Sequence, residues 1–261
     1  MLPLAILSLL TLAAAATRFV PTAFEHGQNF YASGAYDQAI ENYRHIMRSR
    51  HKLLAMEAIR VSVGQIDAPL QEVAAYQIGN AYFKMGEEEL KRAAQARSDE
   101  ERAQHQGRAD DLLAQAVEAF VATETLSATP TLQALARSRA VACAYRMGEY
   151  RRTIDEARQL VASYPTSPYV AHALYDIGWS HYQLREYTQS IAVFEDLVGR
   201  FPSGYRTSRA LFQIGECYFA LERFAEAIPS YQRLVDSQRL DRMSEREILR
   251  MQRNKLAGLV D

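Results

Sequence analysis

Residues 178–202 read GWSHYQLREYTQSIAVFEDLVGRFP, and residues 215–238 read GECYFALERFAEAIPSYQRLVDSQ. Superimposed at a spacing of 37 residues, the two stretches keep their small, apolar and aromatic positions in step. One period upstream, residues 141–165 (VACAYRMGEYRRTIDEARQLVASYP) fit the same template, as do residues 27–47, GQNFYASGAYDQAIENYRHIM. Residues 79–87, GNAYFKMGE, supply its first half, and residues 116–123, AVEAFVAT, its second half after 25 extra residues.

Each unit is counted from Gly27, Gly79, Val141, Gly178 or Gly215. Offset 4 then holds Tyr31, Phe83, Tyr145, Tyr182 and Phe219. Offset 13 holds Ile40, Val117, Ile154, Ile191 and Ile228, and offset 16 holds Tyr43, Phe120, Ala157, Phe194 and Tyr231. Pro165 and Pro202 both fall at offset 24, where proline ends a helix. Apolar residues recur at three and four, as in Leu174, Ile177, His181 and Leu184, so each unit reads as two helices. Ser167-Pro168 reads as an N-cap followed by proline at the first helical position. The small residues that open each count let the two helices approach closely. No stretch alternates with period two, so no sheet is expected.

Composition agrees with a helical chain. The 261 residues include 12 glycines and 8 prolines, below the usual roughly 7% and 5%. Apolar residues make up 48%, enough for a core. Thirty basic against thirty-one acidic residues leave a formal charge of −1, which argues against a general nucleic-acid binder.

The small–x–x–aromatic, Gly-x-aromatic and Ala/Ser columns on helix–turn–helix units resemble tetratricopeptide repeats. The 37-residue variant, with ALYDIGWSHYQLREY and YP or FP endings, is similar to the bacterial cell-envelope branch of that family. That branch includes the repeat lipoprotein of the β-barrel assembly machine and the Tol-Pal-associated periplasmic repeat protein. The resemblance covers about residues 22–240 and implies an all-α solenoid of about five repeats. These fall near 22–47, 71–126, 131–165, 168–202 and 205–240. It departs from the assembly lipoprotein in having no cysteine near residue 17 to accept a lipid.

Residues 50–68 are extra; HKLLAMEAIRVSV there reads as a short helix covering the first repeat. The second insertion, 87–111, holds eight acidic and five basic residues. With Glu87–Lys91 and Glu88–Arg92 at helical spacing, it reads as an elongated helical hairpin. It is either a solvated spacer or an arm that docks a partner. Residues 244–261 read as a C-terminal capping helix opened by a Ser244–Glu247 capping box, with arginines along one face.

Residues 2–16, LPLAILSLLTLAAAA, are too short to span a membrane but suit a signal-peptide core cleaved after Ala15 or Ala16. No lysine or arginine precedes them. The reading is a periplasmic or exported chain with 1–16 as signal peptide; a chain anchored in the membrane by its N-terminus is the alternative.

No catalytic chemistry is indicated. No two of the six histidines stand at helical spacing, and His181 sits among the core columns. Phosphate-binding glycine loops and nucleophile elbows are missing from the sequence. Cys143 and Cys217 share offset 2 two repeats apart, too far for a disulfide. They read as buried thiols. No enzyme, cofactor or metal is expected.

On the first helix of each unit, offsets −3, 1 and 4 share a face. Offset −3 holds Phe24, Tyr76, Ser138, Tyr175 and Phe212. In tetratricopeptide repeats this face lines the concave groove. The resemblance therefore implies a partner-binding groove drawn from Tyr76, Phe83, Tyr145, His172, Tyr175, Trp179, Tyr182, Phe212 and Phe219. The other reading is that these rings are core. Repeat 4 is the best groove candidate, since Trp179 is the sole tryptophan. The expected function is a non-enzymatic scaffold of the cell envelope that binds a protein or peptide, with possible association with the outer membrane or envelope complexes. A narrower version is an outer-membrane assembly or Tol-Pal/cell-division accessory factor. A cytoplasmic repeat chaperone or regulator is the alternative from another class.

Overall fold

The computed structural model describes residues 22–48, 59–202 and 204–236. The predicted signal peptide (1–16), the residues 50–58 and the predicted capping helix (244–261) lie outside the described residues. The fold is all-α, a tetratricopeptide-type succession of helical pairs. It divides into two compact units between Gly148 and Glu149.

The first unit contains helix α1 (22–32), α2 (Tyr36–Arg48), strands β1 (Arg60–Val63) and β2 (Ile66–Pro69), then α3 (Leu70–Gln95), α4 (Asp99–Leu126) and α5 (Pro130–Arg146). The second contains α6 (Tyr150–Ser163), α7 (Val170–Gln183), α8 (Tyr187–Arg200), α9 (Tyr205–Ala220) and α10 (Phe224–Asp236).

The two helices of a repeat meet through one recurring device. The glycine that opens each count lies under the aromatic ring at offset 16. A β-carbon on Gly27, Gly79 or Gly178 would stand 2.6 Å from the ring of Tyr43, Phe120 or Phe194, and Gly215 packs against Tyr231 in the same way. The aromatic at offset −3 then leans on that ring. The centroid distances are 5.8 Å for Phe24–Tyr43, 5.6 Å for Tyr76–Phe120, 5.5 Å for Tyr175–Phe194 and 6.0 Å for Phe212–Tyr231. The interplanar angles span only 48–52°. Repeat 3 exchanges the volumes in sequence: Val141 stands at offset 0 and Ala157 at offset 16.

The turn between paired helices also repeats. Offset 7 has a left-handed backbone at Gly34 (φ 79°), Gly148 (φ 73°), Arg185 (φ 60°) and Glu222 (φ 59°). Across that turn the offset-4 ring meets an aromatic at offset 9 edge-on: Tyr31–Tyr36 at 5.4 Å, Tyr182–Tyr187 at 5.5 Å and Phe219–Phe224 at 5.3 Å.

Three sequence expectations need correction. Residues 60–69 form an antiparallel hairpin, Val63 opposite Ile66, where a helix and no sheet were expected. Val61, Val63 and Ile66 favour strand, and Gly64 (φ 59°) takes the left-handed first position of the two-residue turn. Val61 packs on the core of the first repeat. Secondly, α7 starts at Val170, not at Pro168. Ser167 instead holds a turn, its Oγ accepting from Tyr169 N–H at 3.3 Å. Thirdly, the ion pairs of the 87–111 region differ from those expected. Glu87 pairs with Lys84 (2.8 Å) and Arg146 (3.2 Å), and Arg92 with Glu89.

The 25 extra residues extend α3 and α4 themselves. Ser98 caps α4 by accepting from Glu101 N–H at 3.1 Å. Near the far end, buried Glu89 takes a 2.6 Å hydrogen bond with His105, tying α3 to α4. At the near end, buried Glu72 accepts from Ser127 Oγ (2.5 Å) and Ala128 N–H (3.0 Å), which fixes the start of α3 to the α4–α5 connection.

Candidate protein-interaction face

The second unit holds the candidate site. On α7, His172, Tyr175, Trp179 and Tyr182 follow one another at three and four residues and so share a face. Tyr175 is only 5% exposed, because its ring is the one leaning on Phe194. Trp179 runs nearly parallel to Tyr175 at 6.4 Å and 11°, and to Tyr182 at 5.3 Å and 19°. Tyr182 in turn meets Tyr187 edge-on. The rings form a continuous row held by the core at one end and by the α7–α8 turn at the other. Trp179 and Tyr182 remain partly exposed, and His172 is exposed.

Helix α9 supplies the facing wall. The guanidinium groups of Arg206 and Arg209 lie 4.9 and 5.5 Å from the Tyr175 ring centroid. Arg209 also lies over Tyr205 at 5.4 Å and donates from Nη1 to Tyr205 Oη at 2.7 Å. Tyr205 is 47% exposed. Between His172 and Trp179, the carboxyl of Asp176 is pushed up to about 6 by burial, against the pull of Arg206. Burial, with Arg206 second, lowers the pKa of His172. Phe212 and Phe219 of α9 are partly exposed.

In the first unit the equivalent positions are more closed. Tyr76 and Phe83 are 2% and 6% exposed. Arg139 Nε donates to Tyr76 Oη at 3.3 Å, and the Arg139 and Arg146 guanidiniums each lie 6.0 Å from the Phe83 centroid. Tyr145 is partly buried.

Of the residues the resemblance put in a groove, Tyr76, Phe83 and Tyr175 are thus core. Offset −3 points between the paired helices, where the offset-0 glycine leaves room for a ring; this buries Tyr76 and Tyr175 and leaves Phe212 half-buried on Tyr231, while Phe83, at offset 4, is closed over by Arg139 and Arg146. Surface for a partner remains on His172, Trp179, Tyr182, Phe212 and Phe219, with Tyr145 in the first unit. Sequence reasoning missed Tyr205, Arg206, Arg209 and Asp176. The signal was present: Arg206 and Arg209 stand three apart, nine and six residues before Gly215, on one helix face.

The polar groups nearby serve structure. Buried His181 hydrogen-bonds Glu186 through Nδ1 at 2.6 Å, and Glu186 also pairs with Arg151 at 2.5 Å. Cys143 and Cys217 are buried thiols that form no disulfide. Cys217 donates to Ser190 Oγ at 3.3 Å, and burial pushes its thiol up to about 11, far from thiolate chemistry at neutral pH. Among the described residues no cluster of three or more His, Cys, Asp or Glu is placed to hold a metal. No described helix is long and apolar enough to cross a membrane.

Comparison with known proteins places the fold in the tetratricopeptide class: residues 144–205 and 175–241 match the tetratricopeptide repeat family. Among solved structures, two crystal structures of MamA superimpose with TM-scores of 0.56 and 0.53 at 16% identity. They cover 84% and 81% of this chain and 91% and 94% of theirs. MamA from Desulfovibrio magneticus RS-1, residue 41 to the end, superimposes with a TM-score of 0.51 at 13% identity, covering 84% of this chain and 94% of its own. At such identities the likeness is one of fold. No curated protein matches by sequence.

Proposed function

We propose that this chain is a non-enzymatic protein-interaction scaffold of the bacterial cell envelope, which holds a partner peptide or helix on the α7–α9 face of its second unit. The observation that carries the reading is the Trp179–Tyr182 pair, partly exposed yet fixed by stacking on Tyr175 and by the edge contact with Tyr187. Rings immobilised before binding lose little entropy on contact, and tryptophan and tyrosine dominate interface hot spots. The envelope assignment is supported by the apolar run 2–16 and by the likeness of the 37-residue repeat to the envelope branch. An accessory role in outer-membrane assembly or around Tol-Pal is the narrower form of the same reading.

Site-specific photo-crosslinking in cells tests it. A photoreactive residue in place of Tyr182 is expected to capture a discrete partner, whereas one in place of exposed Ala192 on α8 is not. Equal capture from both positions contradicts the site. N-terminal sequencing tests export: a start near Thr17 supports it, and an intact Met1 in the cytoplasmic fraction supports the chaperone or regulator alternative.

A further inference from the structure

Resting on that reading, we propose that the α7–α9 face receives an acidic segment: an extended peptide whose carboxylates engage Arg206 and Arg209 while its intervening side chains pack on the edge of the Trp179–Tyr182 row. Three observations carry it.

The first is the state of the two arginines. Elsewhere in the second unit Arg151, Arg152, Arg200, Arg223 and Arg233 are each paired with a carboxylate, while exposed Arg158 and Arg185 have neither a carboxylate nor a ring beside them among the described residues. Arg206 and Arg209 have no carboxylate within 4.0 Å among the described residues, and are held on the Tyr175 ring instead. Stacking fixes a guanidinium in place and leaves its charge available; Arg209 gives one Nη1 donor of its fork to Tyr205 and keeps its others. A bidentate carboxylate is the ligand such a fork suits best.

The second is the surrounding charge. Asp176 is the acidic group near Arg206, and burial holds its carboxyl toward the neutral form. Glu216 on α9 accepts from Tyr231 Oη at 2.6 Å. Basic charge on the face is thus concentrated at Arg206 and Arg209, against Asp176, whose negative charge is lost as the pH falls through about 6, and Glu216 near Tyr182.

The third is the disposition of the rings. Trp179 lies between Tyr175 and Tyr182, nearly parallel to both. With a near-parallel ring on each side, Trp179 offers its exposed part to the aliphatic or aromatic side chains of a peptide, and a stacking nucleobase is the competing ligand the test includes. Three residues on a helix rise about 4.5 Å, and alternate residues of an extended chain lie roughly 6.7 Å apart. Flexible arginines span that difference, so the matching pattern is two acidic residues separated by one.

The sole tryptophan lies in the site, so its fluorescence reports occupancy. The full-length chain is titrated with a blocked heptapeptide alternating glutamate and leucine, its glutamine and lysine counterparts, and a short single-stranded oligonucleotide. The glutamate peptide is expected to shift Trp179 emission saturably and to bind about tenfold tighter than the glutamine peptide. That preference is expected to vanish in the Arg206→Gln/Arg209→Gln variant and to shrink with salt. The variant's melting temperature is measured alongside, so that misfolding is not read as lost binding. Equal binding of the glutamine peptide overturns the acidic preference and leaves the groove reading standing. Tighter binding of the oligonucleotide or the lysine peptide, or full retention in a folded double variant, overturns the inference. So does silence from every ligand; the groove reading is then judged by crosslinking from Tyr182.

Discussion

Gly178 lies so close beneath the Phe194 ring that a β-carbon there would stand 2.6 Å from Phe194 Cε1. The same contact in repeats 1, 2 and 5 makes it the element that sets the spacing of paired helices. Phe194 is fully buried, so its position is not adjustable at low cost.

Gly178→Ala is therefore expected to lower stability by up to about 2 kcal/mol. Overpacking costs roughly 1–3 kcal/mol and the better helix propensity of alanine returns about 1 kcal/mol. Adding Phe194→Leu is expected to cost less in the Gly178→Ala background than in wild type, because the two side chains compete for one space. Denaturant unfolding of the four chains checks this; additive losses contradict it.

Arg185 and Glu222 occupy the left-handed turn position that Gly34 and Gly148 occupy elsewhere. A side chain there costs about 1–2 kcal/mol, part of which glycine loses again to unfolded-chain entropy. Arg185→Gly and Glu222→Gly are each expected to stabilise by roughly 0.5–1 kcal/mol, read as a rise in melting temperature.

Asp176 gives a pH signature. Its folded pKa, about 6, lies above the ordinary 3.8, so the fold favours its protonated form. Its contribution is best below about pH 4 and is lost as the pH rises through 6. Asp176→Asn is expected to stabilise the chain at pH 7.5 by roughly 1–2 kcal/mol, once solvent screening at this partly open position is allowed for, and to make little difference at pH 4. Denaturant unfolding at both pH values checks this, and an equal effect at both contradicts it. The facing groups, His172 and Arg206, act in the same sense on an acidic ligand. The glutamate peptide is expected to bind more tightly at pH 5.5 than at pH 7.5, and less pH-dependently in Asp176→Asn.

Cys143 and Cys217 are both buried and form no disulfide. Thiol reagents are expected to label neither within minutes under native conditions and both after denaturation. Rapid labelling of the native chain contradicts their burial.

The repeat register made the helical pairs legible in sequence, because offsets 0, 4, 13 and 16 are packing columns with one chemical demand each. The offset-9 column of Tyr36, Tyr150, Tyr187 and Phe224 is equally readable. Helical phase alone could not separate core from surface at offset −3. Whether Tyr175 is buried depends on the room above Gly178, which is a property of two helices. The same holds at offset 13. Ile40, Val117, Ile154 and Ile191 are buried, whereas Ile228 is 52% exposed at the end of the described chain. The hairpin at 60–69 was hidden by its shortness: four-residue strands offer too few alternations to outweigh a helical context. Arg206 and Arg209 looked like ordinary surface charge until the fold set them on Tyr175.

The central claim is that the Trp179 end of the ring row serves recognition while its Phe194 end serves folding. The most direct test measures melting temperature and partner capture together in Trp179→Ala and Phe194→Ala. Phe194→Ala is expected to cost about 3–5 kcal/mol of stability. Trp179→Ala is expected to melt within a few degrees of wild type while losing roughly 2 kcal/mol or more of partner binding. If Trp179→Ala destabilises the chain as much as Phe194→Ala, or binds its partner undiminished, the ring row is packing throughout and the proposed site is wrong.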